Sequence, residues 1–343
     1  MSVEPVATGN GEAAAPRRVR RPRPLRHWVV IGAAIVLVGL AAAYLLVGAV
    51  VYERLARVET QCTGEIADNT PASFRMEGVD TAGYLMPEWD EVTFPARDRR
   101  ATVAGWFVPG STETGGPVVI LAHGLNDCRR KPEVLTAAGM LHRHGFDVLL
   151  IDLRDHGESS PEDGRHAGGS EEYLDVLGAW DWLVAHGHPP EGIGLYGQSL
   201  GAATVLIARG KESRVAATWE DSSYGEVGEA IADELTRNGY PTFLAPAGIL
   251  AARILAGDDL TSPNTLDEIA RSGARALYVT HGDADRRISV RFADQIVAAA
   301  RGAGAQVDPW IIPGARHIEG IALEPAEYER RLVEFFERTL RPG

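Results

Sequence analysis

Cysteine is almost absent: Cys62 and Cys128 are the only two in 343 residues. Two thiols cannot complete a structural zinc site by themselves. They leave two arrangements open, one bridge or two buried thiols. Positive charge is scarce in the body of the chain. The formal net charge is −13, yet residues 1–27 carry six arginines (Arg17, Arg18, Arg20, Arg21, Arg23 and Arg26) against Glu4 and Glu12. The remainder is therefore strongly acidic, which argues against nucleic acid as a partner. There is no internal repeat, and the acids and histidine of Asp152–Ser159, which could suggest a metal site, lack convincing metal-ligand spacing.

One long stretch lacks charge of either sign. Trp28 to Tyr52 contains no charged residue. As a helix it spans roughly 37 Å, against a hydrocarbon core of about 30 Å. The arginines directly before it keep the N-terminus cytoplasmic under the positive-inside rule, and everything after Tyr52 is then extracytoplasmic. Trp28, Tyr44 and Tyr52 supply the aromatic residues that anchor a span at its interfaces. A cleaved signal peptide is the rival reading, with Ala41-Ala42-Ala43 as the small-residue site. The apolar run continues well past those alanines, which favours a retained anchor. Both cysteines fall after it, in a compartment that permits a disulfide.

These features divide the chain into a basic disordered tail (1–27), a transmembrane helix (28–52), a linker (53–90) and a folded domain (91–343). With 45% apolar and 24% charged residues the chain can build a large core. Within the domain, continuous apolar runs read as strands buried on both faces: Pro117–Ala122, Phe146–Leu153, Ile193–Tyr196, Val215–Trp219, Ala276–Thr280 and Val307–Ile312. Glu91–Pro95 and Thr102–Val108 read as a hairpin pair. Helical patterns intervene at 134–144, 171–186, 200–209, 289–301 and 325–340, with Ser289 expected as an N-cap and Pro325 in a first turn. The alternation predicts an α/β fold, a mostly parallel, doubly wound sheet with helices on both faces. Residues 222–272 are too long for one crossover and are expected to form a helical cap insertion over the strand ends.

Gly197-Gln198-Ser199-Leu200-Gly201 sits between a strand-like and a helix-like run. It reads G-x-S-x-G, a sharp strand-to-helix turn that exposes a serine oxygen. Leu121-Ala122-His123-Gly124-Leu125-Asn126 follows another strand, where the N–H of Leu125 could join that of Leu200 in an oxyanion hole. His281-Gly282-Asp283-Ala284-Asp285 ends a third. Asp285 is the first candidate to orient an imidazole, with Asp283 second and Asp221 third. His317, in Pro313-Gly314-Ala315-Arg316-His317, is the candidate base. Asp152-Leu153-Arg154-Asp155-His156-Gly157-Glu158-Ser159 reads as a structural loop beside the serine turn.

Together these motifs resemble the serine α/β-hydrolase superfamily from about Glu91 onward, in the chain order Ser199, Asp285, His317. The resemblance implies the α/β-hydrolase fold, with Ser199 as nucleophile, His317 as base, Asp285 as orienting acid, and the backbone N–H groups of Leu200 and Leu125 as oxyanion donors. It implies no metal and no cofactor. Serine at the elbow speaks against carbon–halogen or epoxide cleavage, for which relatives place an aspartate there. Asn126 and Asp127 stand where a longer oxyanion loop has further glycines. The expected activity is hydrolysis of a carboxylic ester, small or lipid-like, by a membrane-anchored enzyme. A peptidase, amidase or thioesterase on the same triad, or a non-catalytic binding module on the same fold, are the alternatives.

Overall fold

The structure is a computed structural model and describes Met1 and residues 25–59, 62–110 and 116–340. The expected disordered tail falls almost wholly outside the described residues. Contacts divide the chain into two compact units, Met1–Ala43 and Tyr44–Gly343. Helix α1 (Leu25–Ala56) supplies nearly all that is described of the first unit and continues into the second. It overruns the expected span of 28–52 at both ends. It is long and apolar enough to cross a membrane, and no residue of its most apolar window is buried. A signal sequence has the same composition.

Residues 53–90 are not a linker. Phe74, Met76, Tyr84 and Met86 are buried in the same cluster as Trp106 and Val134. Between α1 and the first strand, the segment's described residues form only the short 3₁₀ turns Gly64–Ile66 and Ala82–Tyr84 as helical elements. Its apolar residues therefore carry no periodicity that reads as core. Cys62 and Cys128 form a disulfide, Cα atoms 6.0 Å apart, which ties this segment to the loop after a central strand.

The strands are β1 (Asp90–Pro95), β2 (Thr102–Val108), β3 (Val118–Ala122), β4 (Asp147–Ile151), β5 (Ile193–Gln198), β6 (Ala217–Asp221), β7 (Ala276–Gly282) and β8 (Val307–Ile312). They form one eight-stranded sheet in the order β1-β2-β4-β3-β5-β6-β7-β8. β1 and β2 pair antiparallel, as do β2 and β4, and every other pairing is parallel. Alternate residues of each central strand feed opposite cores. Val119 and Leu121 join one cluster with α2 (Pro132–His142) and the C-terminal helix, while Val118 and Ile120 join another with α3 (Tyr173–Ala185) and α4 (Leu200–Lys211). Burial on both faces is why these strands carry continuous apolar runs.

Between β6 and β7 the chain folds as α5 (Val227–Arg237), α6 (Ala245–Leu255) and α7 (Thr265–Arg271). The last of these departs from the expected cap. Ile269 on α7 packs with Leu206, Leu277 and Val279, so α7 belongs to the helical layer on the sheet. Then come α8 (Arg291–Gly302), the short α9 (Gly320–Leu323) and α10 (Pro325–Leu340). Ser289 does not cap α8. The helix opens at Arg291 after Val290 without a side-chain cap, and Ser289 contributes only its carbonyl, which accepts from Phe292 N–H.

β3 lies between β4 and β5, so the chain leaves it toward one sheet edge and later returns to its other side. Such a reversal opens a crevice at the carboxyl ends of the two strands. The loop 123–126 and Ser199 flank that crevice.

Candidate active site

Ser199 occupies the turn between β5 and α4 at φ 54° and ψ −117°. A non-glycine residue there costs roughly 1–3 kcal/mol, which surrounding structure must offset. Ser199 N–H donates to Asp221 O at 2.9 Å, and its carbonyl accepts from Ala202 and Ala203 N–H at 3.0 and 3.2 Å. The flanking glycines have a steric cause. A Cβ on Gly197 would lie 2.3 Å from the Gly201 carbonyl oxygen, and one on Gly201 would lie 2.4 Å from that of Ala122. The motif thus lets α4 begin against the end of β3.

The structure brings Ser199, His317 and Asp285 into one line. His317 Nε2 is 2.9 Å from Ser199 Oγ, and Nδ1 is 2.7 Å from Asp285 Oδ2. Because the carboxylate can only accept, Nδ1 carries the proton and Nε2 is free to accept from the serine hydroxyl. Asp285 Oδ1 accepts from Arg287 and Ile288 N–H at 2.8 and 2.9 Å. Burial opposes its charge, but hydrogen bonds from His281 and His317 and from the backbone outweigh that and hold it well below the usual carboxylate range.

The other two candidate acids are used elsewhere. Asp283 Oδ1 accepts from Gly314 N–H at 2.7 Å. Asp221 is fully surrounded, accepting from Tyr328 OH and Ser222 OH, both at 2.8 Å. Ser222 Oγ in turn accepts from Ile318 N–H at 3.3 Å, so Asp221 steadies the loop carrying His317 from behind. This role, and that of His281 beside Asp285, was not read from the sequence. The spacing His281-x-x-x-Asp285 is the one signal that could have suggested the second.

Leu125, Leu200 and Ser199 line one cavity of roughly 310 Å³. Leu200 is the first residue of α4, so its N–H has no partner one turn earlier in the helix. Leu125 is carried by the loop after β3, whose path is set by two buried histidines. His123 Nδ1–H donates to Gly124 O at 2.8 Å while Nε2 accepts from Leu153 N–H at 3.1 Å. His156 Nδ1–H donates to Arg154 O at 2.8 Å while Nε2 accepts from Asn126 N–H at 3.3 Å. Each imidazole is neutral in this arrangement and bridges the 123–126 loop to the 152–159 loop.

The 152–159 loop is structural. Asp152 Oδ1 accepts from Arg129 N–H at 2.7 Å, Oδ2 accepts from Glu158 N–H at 2.8 Å, and the side chains of Asp152 and Arg129 form a buried ion pair. A Cβ on Gly157 would strike Asp152 Oδ2 at 2.2 Å. Among the described residues no group of three or more His, Cys, Asp or Glu side chains is arranged to hold a metal ion.

A family model described as serine aminopeptidase, S33, matches residues 116–218, which include Ser199 but neither Asp285 nor His317. The uncharacterized protein YfhR of Escherichia coli is 23% identical over 259 residues, covering 74% of this chain and 82% of that protein. The thiohydrolase aneE of Aspergillus aculeatus is 33% identical over 104 residues, 30% of this chain and 32% of its own length. Among solved structures, an esterase of Pyrococcus furiosus superposes with a TM-score of 0.59 at 22% identity, covering 74% of this chain and 93% of the esterase. Together with the sheet order and the strand–serine–helix turn, the superposition shows that the chain has the α/β-hydrolase fold, and over residues 116–218 its sequence is similar to the serine aminopeptidase family.

Proposed function

We propose that this chain is a serine hydrolase that cleaves carboxylic esters through an acyl-enzyme, with Ser199 as nucleophile, His317 as base and Asp285 as orienting acid. The observation that carries the reading is the pair of contacts Asp285–His317 and His317–Ser199, at 2.7 and 2.9 Å. Ser199 Oγ bonds to the ester carbonyl carbon as His317 Nε2 takes the hydroxyl proton. The carbonyl oxygen gains charge toward the N–H groups of Leu200 and Leu125, each such donor being worth roughly 3 kcal/mol. The carbon–alkoxide bond then breaks, and the alkoxide leaves with the proton from His317. Water gives a proton to His317 and adds to the acyl carbon, and the acid departs as Ser199 recovers its proton. Each step moves a proton between groups already in the site, so the scheme needs no metal or cofactor.

The test is labelling of the full chain with a fluorophosphonate, the adduct mapped by peptide mass spectrometry. An adduct on Ser199, lost in His317→Ala, is expected. No adduct on folded chain would reject the reading in favour of a non-catalytic binding module. The description of the matched family favours an amide substrate and the thiohydrolase relative a thioester. Comparing p-nitrophenyl esters, acyl thioesters and aminoacyl amides decides among them.

We further propose that α1 is a retained single-pass anchor, N-terminus cytoplasmic and catalytic domain extracytoplasmic. The arginines before the span support this orientation, and the Cys62–Cys128 bridge fits an oxidising compartment. Protease added to intact cells should cut the domain, and membrane-bound chain should still contain residues before Ala41. Cleavage only after lysis, or a mature chain starting near Tyr44, would overturn it.

A further inference from the structure

The chain between β6 and β7 carries an apolar surface that the chemistry at Ser199 does not use. Tyr240, Phe243, Leu250, Ile254 and Leu255 are exposed, Phe243 by 64% and Leu255 by 66%. Five such residues on one helix and its lead-in form a patch, whereas exposed apolar residues elsewhere are normally scattered.

This helix, α6, lies along the last turns of α1. Tyr44 OH donates to Phe243 O at 2.7 Å. A Cβ on Gly48 would lie 2.4 Å from the Ala247 carbonyl oxygen, so the two backbones touch there. Tyr52 and Ala56 share a buried cluster with Ala251 and Ala252. The partners advance together, so the two helices run parallel and in register.

That register sets a depth. Tyr52 ends the charge-free run of α1, and Glu53 and Arg54 follow. Tyr44 lies two turns earlier, roughly 12 Å back along the helix. Phe243, bonded to Tyr44, stands at that depth. The α6 segment has a matching pattern: no charged residue occurs from Asn238 to Ala252, and the first after it, Arg253, pairs with Asp259. Two charge-free stretches thus end at the same level on neighbouring helices. The cavity at Ser199 reaches this seam, where Val51 and Leu55 of α1, Gly248 of α6 and Ile231 of α5 line it.

We propose that the exposed face of α6 and its lead-in is embedded in the outer leaflet beside α1, and that the substrate is an acyl-chain amphiphile entering the cavity from that leaflet. The inference rests on the anchor and the Ser199 nucleophile proposed above, and it names the substrate class and its route. Only a charge-free surface can sit at that depth without a cost of roughly 2.5–3.5 kcal/mol per charge.

The test uses the full chain reconstituted in phosphatidylcholine vesicles. Both native cysteines are in the disulfide, so an introduced cysteine takes a nitroxide label alone. Labels at Phe243→Cys and Ile254→Cys should collide several-fold more with oxygen than with a water-soluble nickel chelate, and the label at exposed Gln306→Cys should do the reverse. Nickel access at 243 equal to that at 306 overturns the membrane surface. The double variant Phe243→Glu, Leu255→Glu should hydrolyse a long-chain ester in vesicles at least tenfold more slowly, with soluble p-nitrophenyl butyrate turnover within twofold of the parent. Unchanged vesicle turnover, or equal loss on both esters, overturns delivery from the leaflet. The label depths do not depend on catalysis and the soluble ester does not depend on the bilayer, so failure of the hydrolase reading is distinguishable from failure of this one.

Discussion

His281 Nε2 stands 3.4 Å from the Asp285 oxygen that His317 Nδ1 meets at 2.7 Å. The same His281 nitrogen donates to Ile288 O at 2.9 Å, so its proton is held between the backbone and the carboxylate. His281 is not among the residues lining the Ser199 cavity and meets the proposed triad through Asp285, which makes it a positioning residue in that reading. His281→Gln should lower kcat on a soluble ester about three- to tenfold and leave KM nearly unchanged. A change confined to KM would show that His281 has no part in orienting the line.

Three acids are candidates by sequence, and only Asp285 reaches His317. Asp285→Asn should lower kcat on the order of 10⁴-fold, because an amide favours the wrong imidazole tautomer. Asp283→Asn, which removes only an acceptor for Gly314 N–H, should retain turnover within a fewfold. Comparable losses in the two variants would contradict the assignment.

Burial pushes both His123 and His156 down from 6.5 to about 4, with a further push from Arg129 on the first and from His123 on the second. The unfolded chain therefore binds more protons than the folded one between about pH 6.5 and pH 4. Stability that is full above this window is lost as pH falls through it, by ~1.4 kcal/mol per pH unit per histidine. Melting temperatures at pH 7 and pH 5 should fall more steeply for the parent chain than for His156→Gln. Parallel slopes would mean that His156 is not buried neutral.

Gly201 has no room for a methyl group, since its Cβ would meet the carbonyl oxygens of Ala122 and His123 at 2.4 and 2.5 Å. Both are backbone atoms, at the end of β3 and in the loop that follows it, so neither can swing aside. Gly201→Ala should destabilise by about 2–3 kcal/mol and abolish fluorophosphonate labelling. Gly302, at the end of α8, has nothing within 4 Å of a built Cβ. Gly302→Ala should stabilise by about 0.5–1 kcal/mol by restricting the unfolded chain. Denaturant unfolding of the two variants measures both.

Much of this molecule is set by local pattern. The strands Val118–Ala122 and Asp147–Ile151 are legible because residues buried on both faces must all be apolar. The strand–serine–helix turn is legible because two of its positions tolerate only glycine. Ser199, Asp285 and His317 follow the apolar strand runs of β5, β7 and β8, so their order could be read along the chain. Other features depend on contacts between segments far apart in the chain, which no local pattern records. Choosing Asp285 over Asp283 required the path of the loop after β7, where Asp283 turns toward Gly314. The burial of Phe74 and Met86 required the sheet face they cover, since their own segment has no period to reveal it. The same holds for the disulfide between Cys62 and Cys128 and for the seam between α1 and α6, where two charge-free runs lie side by side. Sequence alone determined which residues could do chemistry and which could be buried. The tertiary structure decided which of them meet, because distance in space is set by packing of the whole sheet and its helices.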